Sequence, residues 1–121
     1  MSARIVAACA LLFCCGLAIG GAAHAHAIVL KTSLATHPVQ RGVAASITLH
    51  FNSRIEVKLS RAVLVSKDRE ERKLTLLAGD APGDVLVKLP ALEPGNYALR
   101  YRVLAADGHV TEETLRFSVA P

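Results

Sequence analysis

Residues 97–103 read Tyr97-Ala98-Leu99-Arg100-Tyr101-Arg102-Val103. Large apolar or aromatic side chains take every odd position, and small or charged ones take the positions between. Successive side chains of a strand point to opposite faces, so this alternation predicts a β-strand with one face buried and one in water. The same period of two recurs elsewhere. Ile47, Leu49 and Phe51 alternate with Thr48 and His50, and Ile55, Val57 and Leu59 with Glu56 and Lys58. Val63-Leu64-Val65 is a short apolar run, Leu74 and Leu76 follow, Val85, Val87 and Leu89 alternate, and Leu115, Phe117 and Val119 close the pattern. Turn-forming stretches separate these segments: the charged run Lys67–Arg72, then Gly79-Asp80-Ala81-Pro82-Gly83, then Pro90 to Gly95. The pattern predicts an all-β fold, about seven short strands in an antiparallel β-sandwich, with no helix longer than a turn. The charge run reads as a solvated hairpin loop.

The 121-residue chain is 52% hydrophobic, and the apolar excess sits at one end. Ile5 to Gly20 carries no charge, Arg4 stands before it, and the small residues Gly20-Gly21-Ala22-Ala23 follow. A basic start, an apolar run of this length and an Ala-x-Ala site predict a secretory signal peptide over residues 1–25. The run is short for a bilayer span, which needs about 20 residues. Cleavage after Ala23-His24-Ala25 makes His26 the first mature residue; cleavage after Gly21-Ala22-Ala23 instead exposes His24. The first register leaves residues 26–121 as one domain. It also removes Cys9, Cys14, Cys15 and Met1, which are all the cysteines and the only methionine. A disulfide scaffold, a zinc ribbon, an iron–sulfur site and a Cys-ligated blue-copper centre are thereby excluded for the mature chain. Of the charges only Arg4 leaves, so 14 basic residues become 13 against 10 acidic ones, a net of +3. Spread over a whole domain, that is too diffuse for nucleic-acid binding.

Histidines and carboxylates remain as chemistry-bearing groups. No Ser/His/Asp grouping or Gly-rich phosphate loop is discernible. His50, on the polar side of its strand, and His37, beside Pro38, read as structural or solvated. His26 differs because processing gives it a second donor: the free α-amine and ring Nδ1 of an N-terminal histidine close a small chelate ring on one ion. Such a nitrogen-rich pair suits tetragonal Cu(II), the tightest-binding divalent ion of the Irving–Williams order. A histidine can also stand at a cleavage site by chance. Asp107-Gly108-His109 follows the strongest strand in a loop that leads to the last one. If that loop is extended, a carboxylate and an imidazole two apart point the same way and both reach one ion. An ordinary Asp-Gly turn followed by an exposed histidine fits the same spacing.

Taken together, these features resemble the CopC family of periplasmic copper-binding proteins, over essentially His26 to Val119. The chain opens His26-Ala27-Ile28-Val29 with Thr32-Ser33 a short way on. Ile47-Thr48-Leu49-His50-Phe51-Asn52 is similar to the family's first core strand, and Pro90 to Tyr97 to its leucine, Gly-x-Tyr turn. The most specific piece, Tyr101-Arg102-Val103 through Asp107-Gly108-His109, is similar to the family's Trp-Arg and Asp-Gly-His signature, with Tyr101 in place of Trp. The resemblance implies a Greek-key β-sandwich, cupredoxin-like or Ig-like, and one Cu(II) per chain. The implied ligands are the amine and ring of His26, the carboxylate of Asp107 and the imidazole of His109. It also implies a periplasmic role in copper sequestration, homeostasis or resistance, without enzymatic activity, and possible delivery to a CopD-type membrane transporter. Family members with a Cu(I) site build it from methionines, which the mature chain lacks. Two rival readings stand beside this one. A secreted copper-dependent oxygenase also uses an N-terminal histidine chelate, and a metal-free Ig-like interaction module needs no ligands at all.

Overall fold

The alternation at residues 97–103 lies inside a long strand that pairs along its whole length with the last one, as the computed structural model of residues 26–121 shows. The expected leader, its cleavage site and the cysteines lie outside the described residues. Among the described residues there are eight strands: β1 (Val29–Thr32), β2 (Ala45–Phe51), β3 (Arg61–Val65), β4 (Glu71–Leu74), β5 (Leu76–Ala78), β6 (Asp84–Leu89), β7 (Gly95–Leu104) and β8 (Val110–Val119). They form two antiparallel sheets, in the orders β1-β2-β6-β5 and β4-β3-β7-β8. The chain changes sheet three times, between β2 and β3, between β4 and β5 and between β6 and β7, so the two sheets interlock in Greek-key fashion. The alternating residues meet between the sheets. Ile47, Leu49, Val85, Val87, Leu99 and Val103 are fully buried there. Phe51 from one sheet meets Tyr101 from the other edge-to-face, with ring centroids 5.7 Å apart.

The fold departs from the expectation at three places. First, the alternation over 55–59 is not a strand. Ile55 makes one bridge to Ala105 and Val57–Leu59 forms a single 3-10 turn, leaving Leu59 69% exposed. Here the chain crosses between sheets, and local bonds close the crossing. The Ser60 hydroxyl donates to the Glu56 carbonyl at 2.8 Å, and the Leu59 N–H donates to the same carbonyl at 3.1 Å. Second, Leu74 and Leu76 belong to strands of opposite sheets, with the switch at Thr75. Third, Val29–Thr32 adds an edge strand on β2. The net result is eight strands where about seven were expected. Ser66 and Glu70 close the charge run as a hairpin, but Glu71 and Arg72 already belong to β4.

His50 is a structural histidine on the outer face of its sheet. It stands directly across from Asp84, and its Nδ1–H donates to Asp84 Oδ1. This hydrogen bond, helped by the Ala81 N–H and the charge of Lys31 against the opposing effect of burial, holds the Asp84 carboxyl below the usual range. Asp84 also closes the turn before β6: its N–H donates to Ala81 O and its carbonyl accepts from the Gly79 N–H, both at 2.9 Å.

Two measurements check this account. Leu99→Ala should lower unfolding free energy by about 2–5 kcal/mol, because a fully buried leucine leaves a cavity between the sheets. Leu59→Ala should change it by no more than about 0.5 kcal/mol, where a true strand position would cost several times that. Asp84 has a lower pKa folded than unfolded, so it adds stability above the ordinary carboxylate range and loses it as pH falls through the folded value. Denaturant titrations between about pH 5 and pH 2 should therefore show a shallower stability loss for Asp84→Asn than for the unsubstituted chain.

Candidate metal centre

The turn that joins β7 to β8 is short because the two strands stay paired to their ends, Leu104 opposite Val110. Five residues, 105–109, make the connection. The Gly108 N–H donates to the Ala105 carbonyl and the Ala105 N–H to the His109 carbonyl, each at 2.9 Å. Gly108 sits at φ +91°, in the left-handed region that favours glycine. Between these closures Asp107 folds back on His109. Its Oδ1 accepts from the His109 backbone N–H at 3.0 Å, and its Oδ2 lies 3.0 Å from His109 Nδ1. Of the two geometries the spacing allowed, the structure has the turn and not the extended segment, and a side-chain-to-backbone bond in that turn brings the two side chains together.

This arrangement sets the electrostatics of the pair. The hydrogen bond from the His109 ring, then the one from its backbone N–H, hold the Asp107 carboxyl below its usual range. A carboxylate at Nδ1 fixes the ring's tautomer and orientation, the arrangement by which metal-binding histidines present Nε2. The His109 side chain is 39% exposed, while its Nδ1 is shielded from solvent. Both Asp107 oxygens face His109, but a carboxylate has about four lone-pair directions, which leaves acceptor capacity for a further partner.

The N-terminal segment reaches the same end of the sandwich. β1 runs antiparallel to β2, so residues 26–28 extend past the end of β2 at Phe51. There Asn52 takes both backbone groups of Ile28: the Ile28 N–H donates to Asn52 Oδ1 at 2.9 Å, and the Asn52 N–H donates to Ile28 O at 3.0 Å. Ala27 is buried and His26 is exposed. His26 and Ala27 border a shallow depression shared with Tyr101, Val110 and Thr111, the last two being the residues directly after His109. The Thr111 hydroxyl is buried with no hydrogen-bond partner among the described residues.

The segment after Asn52 ties this end together. The Ala106 N–H donates to Arg54 O at 2.9 Å, the Glu56 N–H to Leu104 O at 2.8 Å, and the Ile55 N–H to Pro82 O at 3.2 Å. Of the expected ligands, then, Asp107 and His109 are in contact, and His26 lies on the neighbouring segment. Among the described residues no three His, Cys, Asp or Glu side chains converge closely enough to hold one ion. Here the nitrogen of His26 is still a peptide nitrogen, whereas the expected chelate uses a free amine. His37 is occupied elsewhere, with its Nδ1 2.9 Å from the Thr36 hydroxyl. Asn52 escaped the sequence reading; the available signal was an Asx residue just past a strand end, where such side chains bind backbone groups.

Among the described residues no helix is long and apolar enough to cross a membrane. No curated protein matches the chain. Among solved structures, CopC from Methylosinus trichosporium OB3b matches with a TM-score of 0.67 at 22% identity, covering 79% of this chain and 95% of that one. PcoC, a methionine-rich copper resistance protein from Escherichia coli, matches with a TM-score of 0.60 at 22% identity, covering 78% of this chain and 99% of that one. At that identity the likeness establishes the sandwich fold. The CopC domain family itself matches residues 29–120, nearly the whole of the described chain, and the protein therefore belongs to the CopC family.

Proposed function

We propose that this protein is exported to the periplasm, trimmed after Ala25, and binds one Cu(II) ion as cargo for copper sequestration and resistance. The observation that carries the reading is the Asp107–His109 pair, held in the β7–β8 turn at the end of the sandwich where the His26 segment also arrives. In this reading the α-amine and ring nitrogen of His26 form a chelate, His109 supplies the second imidazole, and the Asp107 carboxylate, which orients the His109 ring in the metal-free protein, exchanges that bond for one to the ion. Three nitrogens and an oxygen form a donor set suited to tetragonal Cu(II). Cu(I) prefers thiolate and thioether sulfur, and residues 26–121 contain neither cysteine nor methionine.

The protein holds the ion and releases it; no reaction on a substrate is required of these residues. A ligand set split between the chain start and a late turn suits release, because withdrawal of the N-terminal segment removes two donors at once. A CopD-type membrane transporter is the recipient this reading favours.

Two expected outcomes test it. The secreted chain beginning at His26 should take up one Cu(II) with a nitrogen- and oxygen-ligated tetragonal electron paramagnetic resonance spectrum. One extra residue ahead of His26 should weaken binding by about a hundredfold or more, about 2.7 kcal/mol, with the melting temperature of the metal-free form unchanged. Equal affinity in the extended chain would remove the amine from the site. Amine and imidazole donors ligate only when deprotonated, so affinity measured by competition titration should fall steadily from pH 8 to pH 5. A flat profile over that range would exclude such ligands.

A further inference from the structure

We infer that Asn52 is a positioning residue for the copper site: its side chain holds the N-terminal segment in place so that His26 can share an ion with the Asp107–His109 turn. The inference rests on the copper-binding reading above and adds to it a residue that is not itself a ligand. Regular pairing between β1 and β2 does not reach His26 undisturbed. The register slips between Val29 and Lys31, where Leu30 bulges outward and is 62% exposed. Beyond that irregularity the two bonds between Ile28 and Asn52 restore the attachment, and one of them depends on the Asn52 side chain. The Ser53 hydroxyl donates to the same Oδ1 at 3.5 Å. Ala27, 2% exposed, seats the next residue in the core, and His26 follows at once.

The other half of the argument is where Asn52 leads. Two residues on, the Arg54 carbonyl receives the Ala106 N–H at 2.9 Å, and Ala106 adjoins Asp107. A short path of Ile28, Asn52, Arg54 and Ala106 thus links the segment carrying His26 to the turn carrying the other two donors, before any metal arrives. Without the Asn52 acceptor, Ile28 keeps only its carbonyl bond and residues 26–28 are held less tightly, so part of their ordering falls to the moment of binding and is subtracted from affinity. The Asn52 side chain is exposed, so water can replace the lost bond to Ile28 in the metal-free protein. The cost should therefore appear in copper binding far more than in stability.

The test is a double-mutant cycle on the secreted chain beginning at His26, with Cu(II) affinity and electron paramagnetic resonance as readouts. Asn52→Ala should weaken binding about tenfold, as expected for one hydrogen bond, and at equimolar copper should give a second spectral component from ions held by only part of the ligand set. Asn52→Asp, which keeps an acceptor for the Ile28 N–H, should stay within about threefold of the parent and show a single component. His109→Ala should cost about tenfold less in the Asn52→Ala background than in the parent, because the two halves of the site are then no longer held together. A purely structural Asn52 would give additive losses and one spectrum, and that result would overturn the inference while copper binding by the parent chain stands. No copper uptake by the parent chain would instead overturn the functional reading, and the inference with it.

Discussion

Residues 52–56 hold one end of this sandwich together, and the candidate site exists because they do. They leave β2, grip the N-terminal segment through Asn52, bond the β7–β8 turn through Arg54 and the end of β7 through Glu56, and reach the turn before β6 through Ile55. Each of those bonds joins parts of the chain far apart in sequence. A strand at this position would have pointed its bonding groups at no more than two neighbouring strands. The irregular crossing, closed on itself by Ser60 and the Glu56 carbonyl, frees its backbone groups to serve several neighbours. Buried Ile55 and Ala105 anchor the junction in the core.

On that frame the chemistry is divided by distance from the core. Apart from the Thr111 hydroxyl, the buried side chains among the described residues are apolar or aromatic, so the interior offers no imidazole, carboxylate or sulfur donor to an ion. Titratable groups stand on the outer faces and at the end turns, paired locally: His50 with Asp84, Arg102 with Glu112 at 3.0 Å, and Asp107 with His109. The first two join facing residues on neighbouring strands and stabilise pairing. The third lies within one turn, where it sets ring orientation and contributes little to the fold. The Escherichia coli relative is described as methionine-rich, whereas this chain has a single methionine, Met1. The two share a sandwich and differ in the soft donors available.

Much of the architecture was readable from side-chain period, because burial between two sheets demands alternation and the demand is strict for central strands. Val85–Leu89 and Tyr97–Val103 lie in central strands and were read correctly. Errors fell where the chain changes sheet. The alternation at 55–59 satisfies the period of two, yet only Ile55 is buried, and hydrophobic spacing cannot report that the partner strand has ended. Leu74 and Leu76 look like one strand because residues two apart share a face, and a switch of sheet at Thr75 leaves no mark in composition. The spacing of Asp107-Gly108-His109 fitted either an extended pair of donors or an Asp-Gly turn, and the structure has an Asx-type turn that still brings the two side chains together. The Asp84 partner of His50 and the Asn52 grip on Ile28 come from pairing across 34 and 24 residues, which a single sequence does not display.

The central claim is that the two ends of the chain share one oxidised copper ion at the end of the sandwich. Paramagnetic broadening of amide resonances by a single equivalent of Cu(II) tests it most directly. The account predicts that signals from residues 27–28 and 106–111 fade together while those of the β3–β4 hairpin at 66–70 stay sharp. Broadening centred instead on His37, or on His50 and Asp84, would contradict it.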